Sequence, residues 1–280
     1  MLTHDEIIGS HPQDPNIFDK WLSSNNLVRI PQRCHRSLSN KISSDNPELI
    51  EWLAGKIIEH HYSATKLRRL KKKYKEIGFA EYAKQHRQIP KADRTMKGNA
   101  AEIILIEYIT DCQPMGNLVK YYKFRYNPNV DQSMKGDDAL IIDILDDGTG
   151  TTDIKVFLGE AKFRSTPAKE VVNELALAIG KDKLPLSFSF MIDRLYDDPS
   201  TEGIAEKLED FMMDEVKAKG NMRYAGLLLS NTNAAANVER NFVSDNPQAI
   251  IVSIGIEDPK KLVREAFKKA QDILDNPCAL

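Results

Sequence analysis

The stretch GDDALIIDILDDGTGTTDIKVFLGEAKF, Gly136 to Phe163, decides how this chain folds. Two apolar, β-branched runs flank Asp146-Asp147-Gly148-Thr149-Gly150, turn chemistry of the kind that closes hairpins. The reading is a strand from Asp138 to Leu145, a turn, and a strand from Asp153 to Phe163. Side chains alternate between the two faces of a strand, so Ile154, Val156 and Leu158 share a face with Glu160 and Lys162. Asp138 continues the row of Leu140 and Ile142 in the same way, whereas Asp137 falls in the row of Ala139, Ile141 and Asp143, which reads as more solvent-facing. Two apolar rows thus end in charge. Burying charge costs several kcal/mol unless the group is paired, binds metal or does chemical work. The hairpin register does not follow from the sequence, but it is compatible with Asp138 beside Glu160.

Around this hairpin the pattern is mixed α and β. Asn99 to Thr110 is an apolar helix in which Glu102 shares a face with Ile106 and Ile109. Lys120 to Tyr126 reads as a further strand, ended by Asn127-Pro128-Asn129. Pro167 stands near the start of the next helix. Tyr224 to Leu229 and Ala249 to Ile254 read as strands, and Pro259 to about Leu274 as a final helix. Before residue 95 the chain reads as mostly helical, with Asn46-Pro47-Glu48 opening an apolar-periodic run. The expected organisation is a mostly helical region with a basic segment over 1–95 and an α/β core over 96–280.

Composition sets bounds. The chain has 280 residues, 41% hydrophobic and 29% charged, as in an ordinary globular protein. Neither a signal peptide nor a run of about 20 apolar residues is visible, and three scattered cysteines make no disulfide framework, so a cytoplasmic location is expected. Net charge is −2, unevenly placed. Lys66 to Lys97 holds twelve Lys or Arg against three acids, a local +9 that leaves −11 for the remainder. Within it, Arg68, Arg69, Lys71, Lys72 and Lys73 suggest a phosphate-facing surface, the plain alternative being a solvated helix face.

Glu160-Ala161-Lys162 is unspecific alone, since Glu215-Val216-Lys217 repeats the pattern in a polar helical segment. With Asp138 it forms a chemical set: carboxylates suited to Mg²⁺, and a lysine able to orient or deprotonate water and to steady negative charge. A structural ion pair at a strand end is the bland reading. Cys34-His35 with His60-His61 fits no familiar zinc spacing. There is no P-loop and no nucleophile elbow. Ser230-Asn231-Thr232-Asn233 reads as a polar loop after a strand, and Arg164, Lys169 and Asn173 as a helix start able to touch phosphates.

The series Glu102, Gly136-Asp137-Asp138 and Glu160-Ala161-Lys162 resembles the PD-(D/E)XK nuclease superfamily over residues 96 to about 181. The resemblance implies a restriction-endonuclease-like core, a mixed central sheet flanked by helices, that hydrolyses DNA. By position it makes Glu102 the helix acid, Asp138 and Glu160 the metal ligands, and Lys162 the catalytic lysine, with Asp137 a weaker substitute for Asp138. It also implies Mg²⁺, with Mn²⁺ able to substitute. Over more of the chain, the helical first third, Met134 to Leu140 and Gly159 to Phe163 are similar to the HamA family, nuclease subunits of Hachiman anti-phage defence, and to AbpA-type relatives. That likeness implies a HamB-type superfamily 2 helicase as partner, restraining the nuclease until foreign or damaged DNA is sensed. A catalytically inactive DNA-binding, helicase-docking subunit is the alternative, and an unrelated α/β enzyme a third.

Overall fold

A computed structural model describes residues 1–77, 88–146, 152–181 and 183–275. In chain order the helices are α1 (His4–Ile8), α2 (Ile17–Trp21), α3 (Pro47–His61), α4 (Ala64–Ile77), α5 (Asp93–Asp111), α6 (Lys169–Gly180), α7 (Phe188–Tyr196), α8 (Glu202–Glu209), α9 (Met213–Ala218), α10 (Ala234–Asn241) and α11 (Pro259–Asp275). The strands are β1 (Leu22–Asn26), β2 (His35–Asn40), β3 (Leu118–Lys120), β4 (Ala139–Asp146), β5 (Thr152–Phe163), β6 (Met222–Ser230) and β7 (Ala249–Gly255). They form one seven-stranded sheet in the order β1-β2-β7-β6-β5-β4-β3. The sheet is mixed: β2, β7, β6 and β5 run parallel, while β1, β4 and β3 pair antiparallel with their neighbours.

Helices cover both faces. Side chains of α3, α5 and α11 share one apolar cluster with Ala139, Ile141, Phe157 and Ala161. Those of α6, α7, α8 and α10 share another with Leu140, Ile142, Val156 and Leu158. Two-sided burial explains why every residue of β6 and β7 is buried and why those strands read as unbroken apolar runs. At α3 the reading of Asn46 holds: its side chain accepts the Leu49 N–H, and Pro47 stands where its missing N–H costs nothing.

Three features differ from the sequence reading. The first third supplies two strands, β1 and β2, and β2 joins the sheet through parallel pairing with β7. Their pattern is obscured because β1 is mostly polar and exposed, as an edge strand tolerates. The strand expected over Lys120–Tyr126 is instead β3 at Leu118–Lys120, followed by a 3₁₀ turn at Lys123–Tyr126. The row of Asp137, Ala139, Ile141 and Asp143 is not solvent-facing; all four residues are buried, Ala139 and Ile141 in the cluster under α5, Asp137 against Ser187 at the start of α7, and Asp143 accepting the Asn117 N–H. Of the turn read at Asp146–Gly150, residues 147 onward lie outside the described residues, as do residues 78–87 of the basic stretch and Cys278.

Three donors surround a buried carboxylate of this layer. Glu107, on α5, is 2% exposed and receives His60 Nε2 at 2.8 Å, Lys120 Nζ at 2.8 Å and Lys56 Nζ at 2.9 Å. Burial opposes its ionisation, but these donors outweigh it and hold the carboxyl well below the usual range. A depressed carboxyl contributes stability that is present above its unfolded pKa, near 4.5, and lost as pH falls through the folded value. Glu107→Ala is therefore expected to destabilise the protein by about 3–5 kcal/mol at pH 7. In denaturant titrations the gap to wild type should narrow below about pH 4.5.

Candidate active site

β4 and β5 pair antiparallel as far as Ala139 opposite Gly159; Asp138 lies in the bend just before β4, at the end of the hairpin where β5 runs on through Glu160. By alternation along β5, Glu160 and Lys162 fall on the face of Leu158. The Ala161 N–H donates to Asp138 Oδ2 at 3.1 Å, and Lys162 Nζ donates to Glu160 Oε1 at 2.7 Å. The loop presenting Asp138 is pinned from behind. The Ser187 N–H donates to Asp137 Oδ2 at 2.9 Å, and the Asp137 N–H to Ser187 Oγ at 3.2 Å, tying the loop to the start of α7. Asp137 is therefore an anchor for the loop, one carboxylate oxygen taking the Ser187 N–H and the other lying 4.0 Å from Lys183 Nζ.

Glu102 arrives from α5, across the edge of the sheet. Its Oε2 lies 2.6 Å from Lys123 Nζ, and the same ammonium reaches Asp138 Oδ1 at 3.3 Å and the Asp137 carbonyl oxygen at 3.1 Å. The structure thus gathers Glu102, Asp138, Glu160 and Lys162 along one cavity of about 880 Å³. It adds Lys123, which the sequence reading missed because a lone lysine in an expected strand carries no distinguishing signal. Arg94, Lys97, Lys135 and Arg164 line the same cavity, with Arg94, Lys135 and Arg164 exposed. Asn173 lines a different cavity, beside α10. Arg68, Arg69, Lys71, Lys72 and Lys73 lie on α4, outside the residues that line the acidic cavity. Ser230 of the polar cluster is fully buried. His60 is held by Glu107, His61 by the Ile57 carbonyl, and His35 by Ser253.

Burial pushes the Glu102 carboxyl up to about 8; Lys123 opposes this, while the charges of Asp138 and Glu160 reinforce it. Lys123 and Lys162 are both held above the ordinary lysine value. Burial acts against each, but the neighbouring carboxylates prevail, Glu102 and Asp138 for Lys123 and Glu160 for Lys162. Lys162 is accordingly an ammonium at neutral pH, equipped to donate hydrogen bonds.

The donor set suits a hard divalent ion. Carboxylate oxygens are the preferred ligands of Mg²⁺, which usually takes one or two of them and retains water. Glu102 Oε2 is buried and accepts no well-directed hydrogen bond, Lys123 being its charge partner. Among the described residues, no three His, Cys, Asp or Glu side chains are grouped as a complete metal cage. An ion here would rest on Asp138 and Glu160 and fill its remaining positions with other oxygens.

Two measurements test this geometry. Gly136 has φ +117°, and an added Cβ would lie 2.9 Å from Ser187 Oγ. Gly136→Ala is expected to cost about 1–3 kcal/mol, read as a lowered denaturation midpoint. Glu102 has a raised folded pKa, so its contribution is complete below the unfolded value, near 4.5, and is lost as pH rises through about 8. The melting temperature of protein prepared in chelator should fall between pH 5 and pH 8.5 on this account, and Glu102→Gln should flatten that fall.

With this geometry in place, comparison with known proteins is informative over nearly the whole chain. The HamA family model matches residues 15–270. Hachiman protein HamA of Bacillus cereus is 37% identical over 279 residues, covering 98% of this chain and 97% of that protein. Among the described residues no helix is long and apolar enough to cross a membrane. With both the family match and the identity extending from the first strands to the last helix, this chain belongs to the HamA family.

Proposed function

We propose that this protein is a metal-dependent DNA nuclease of the PD-(D/E)XK type, acting as the effector of a Hachiman anti-phage defence system. The observation that carries the reading is the convergence of Asp138, Glu160 and Lys162, from separate positions in the sequence, on one cavity that Glu102 also lines. Exposed Arg94, Lys135 and Arg164 line that cavity as well, a distribution suited to a polyanionic backbone approaching a carboxylate centre. Membership of the HamA family supports the defence role.

A divalent ion, Mg²⁺ or Mn²⁺ in its place, would supply Lewis-acid charge at the scissile phosphate. Asp138 and Glu160 are the side chains that would hold it. Asp138 is oriented for this by the Ala161 N–H, and its backbone by the Asp137–Ser187 pair. Lys162, kept protonated by Glu160, donates toward the attacking water or a phosphoryl oxygen and offsets the negative charge that builds there. Water adds to phosphorus as the P–O bond to the leaving nucleotide breaks; the proton lost by water and the electron pair of the broken bond end on solvent and leaving oxygen. A HamB-type superfamily 2 helicase is the proposed regulatory partner. The basic segment of α4, with Arg68, Arg69, Lys71, Lys72 and Lys73, is proposed as a secondary DNA contact outside the lining of the cleavage cavity.

The test is DNA cleavage with Mg²⁺ and with chelator, by the chain alone and with its cognate helicase. Glu160→Ala and Lys162→Ala are expected to abolish cleavage, at least about 100-fold, while circular dichroism and melting show intact folding. Full activity in either folded variant would overturn the assignment of these residues. Salt-dependent DNA binding without cleavage under any divalent metal, helicase present, would establish a binding subunit instead.

A further inference from the structure

Lys123 is 3% exposed, yet it carries charge among acids. Its ammonium lies against three oxygens: it donates to the Asp137 carbonyl at 3.1 Å and to Asp138 Oδ1 at 3.3 Å, and pairs by charge with Glu102 Oε2 at 2.6 Å. The arrangement is delivered by the 3₁₀ turn at Lys123–Tyr126, which departs from the strand that the sequence suggests. Both oxygens of Asp138 are thereby engaged, Oδ1 by Lys123 and Oδ2 by the Ala161 N–H. A divalent ion approaching Asp138 must share its carboxylate with the Lys123 ammonium or displace it.

We propose that Lys123 is a positioning residue that acts as a built-in cation, fixing Glu102 and Asp138 in place and competing with the divalent ion for the same carboxylates. The inference rests on the metal-centre reading above. Without an internal cation, Glu102 and Asp138 would repel whenever both are ionised, and the ionised centre would assemble only when metal arrived. With it, the carboxylates stay in place at the cost of weaker metal binding. A lysine with a merely structural task predicts the opposite, since its loss would loosen the site and weaken binding.

The discriminating measurement is direct Mn²⁺ binding to the full chain, by calorimetry and by paramagnetic resonance of free Mn²⁺, without reference to cleavage. Lys123→Met is expected to bind Mn²⁺ at least about tenfold more tightly than wild type, because a unit charge a few ångströms from the ion is removed. The same variant should melt lower in chelator and recover most of that loss in saturating Mn²⁺. If Lys123→Met does not fold, Lys123→Gln, which keeps one hydrogen-bond donor and loses the charge, is measured in its place with the same expectations. Equal or weaker Mn²⁺ affinity in the neutral variant would overturn this inference alone. Absence of Mn²⁺ binding in wild type and variant alike would overturn it together with the metal-centre reading.

Discussion

The register between β4 and β5 is the constraint on which the rest of the molecule depends. With Ala139 opposite Gly159, β5 runs on past the start of β4, and Asp138 and Glu160 line one cavity at that end of the hairpin. Because side chains alternate with period two, a slip of one residue in β5 would turn Glu160 and Lys162 into the α5 layer and aim Ala161 at the cavity. The surrounding packing holds this register at several points. Leu140, Leu158 and Val156 interlock on one face, and Ile141 and Phe157 on the other. Gly159 has no side chain, and a Cβ there would lie 2.7 Å from Leu105 Cδ2, so α5 comes close to the strand one residue before Glu160. Leu105 and Glu102 lie three apart on that helix, so the close approach that seats the leucine also brings the acid to the edge of the sheet.

The same helix carries two acids with two different tasks. Glu107 is enclosed by Lys56, His60 and Lys120 and closes a charge network between helices and strand. Glu102 faces the cavity and meets Lys123. Lys120 and Lys123 belong to one short segment, so β3 and its 3₁₀ turn are stitched to α5 twice, by two ion pairs three residues apart in the chain. A continuous strand would alternate these side chains between faces; the turn after Tyr121 lets both reach the helix.

Charge in the cavity is layered. Glu102, Asp138 and Glu160 are partly or wholly shielded, and their lysine partners are held there by those acids. Arg94, Lys135 and Arg164 are exposed, where salt screens them and they can exchange water for phosphate at little cost. The shielded cations organise the acids, and the exposed ones suit an approaching polyanion. Asp137 illustrates how an acid next to the centre is removed from it: its carboxylate accepts the Ser187 N–H at the start of α7 and so positions the neighbour that faces the cavity.

Much was legible in the sequence. Alternation over Asp138–Leu145 and Asp153–Phe163 located the two strands, and the same alternation placed Glu160 and Lys162 at the charged end of an apolar row, while Asp138 stands in the bend just before its strand. The apolar runs of β6 and β7, the helix bearing Glu102 and the final helix follow from periodicity alone, because burial imposes a local repeat that the sequence must carry. Pairings between distant segments leave no such repeat. The polar edge strand β1, the parallel docking of β2 on β7, the burial of Asp137 behind a second helical layer and the capture of Lys123 by two acids were decided by tertiary structure. In each case the deciding partner lies far along the chain, and a side chain's own neighbours in sequence do not say which face will be covered or which opposite charge will be waiting there.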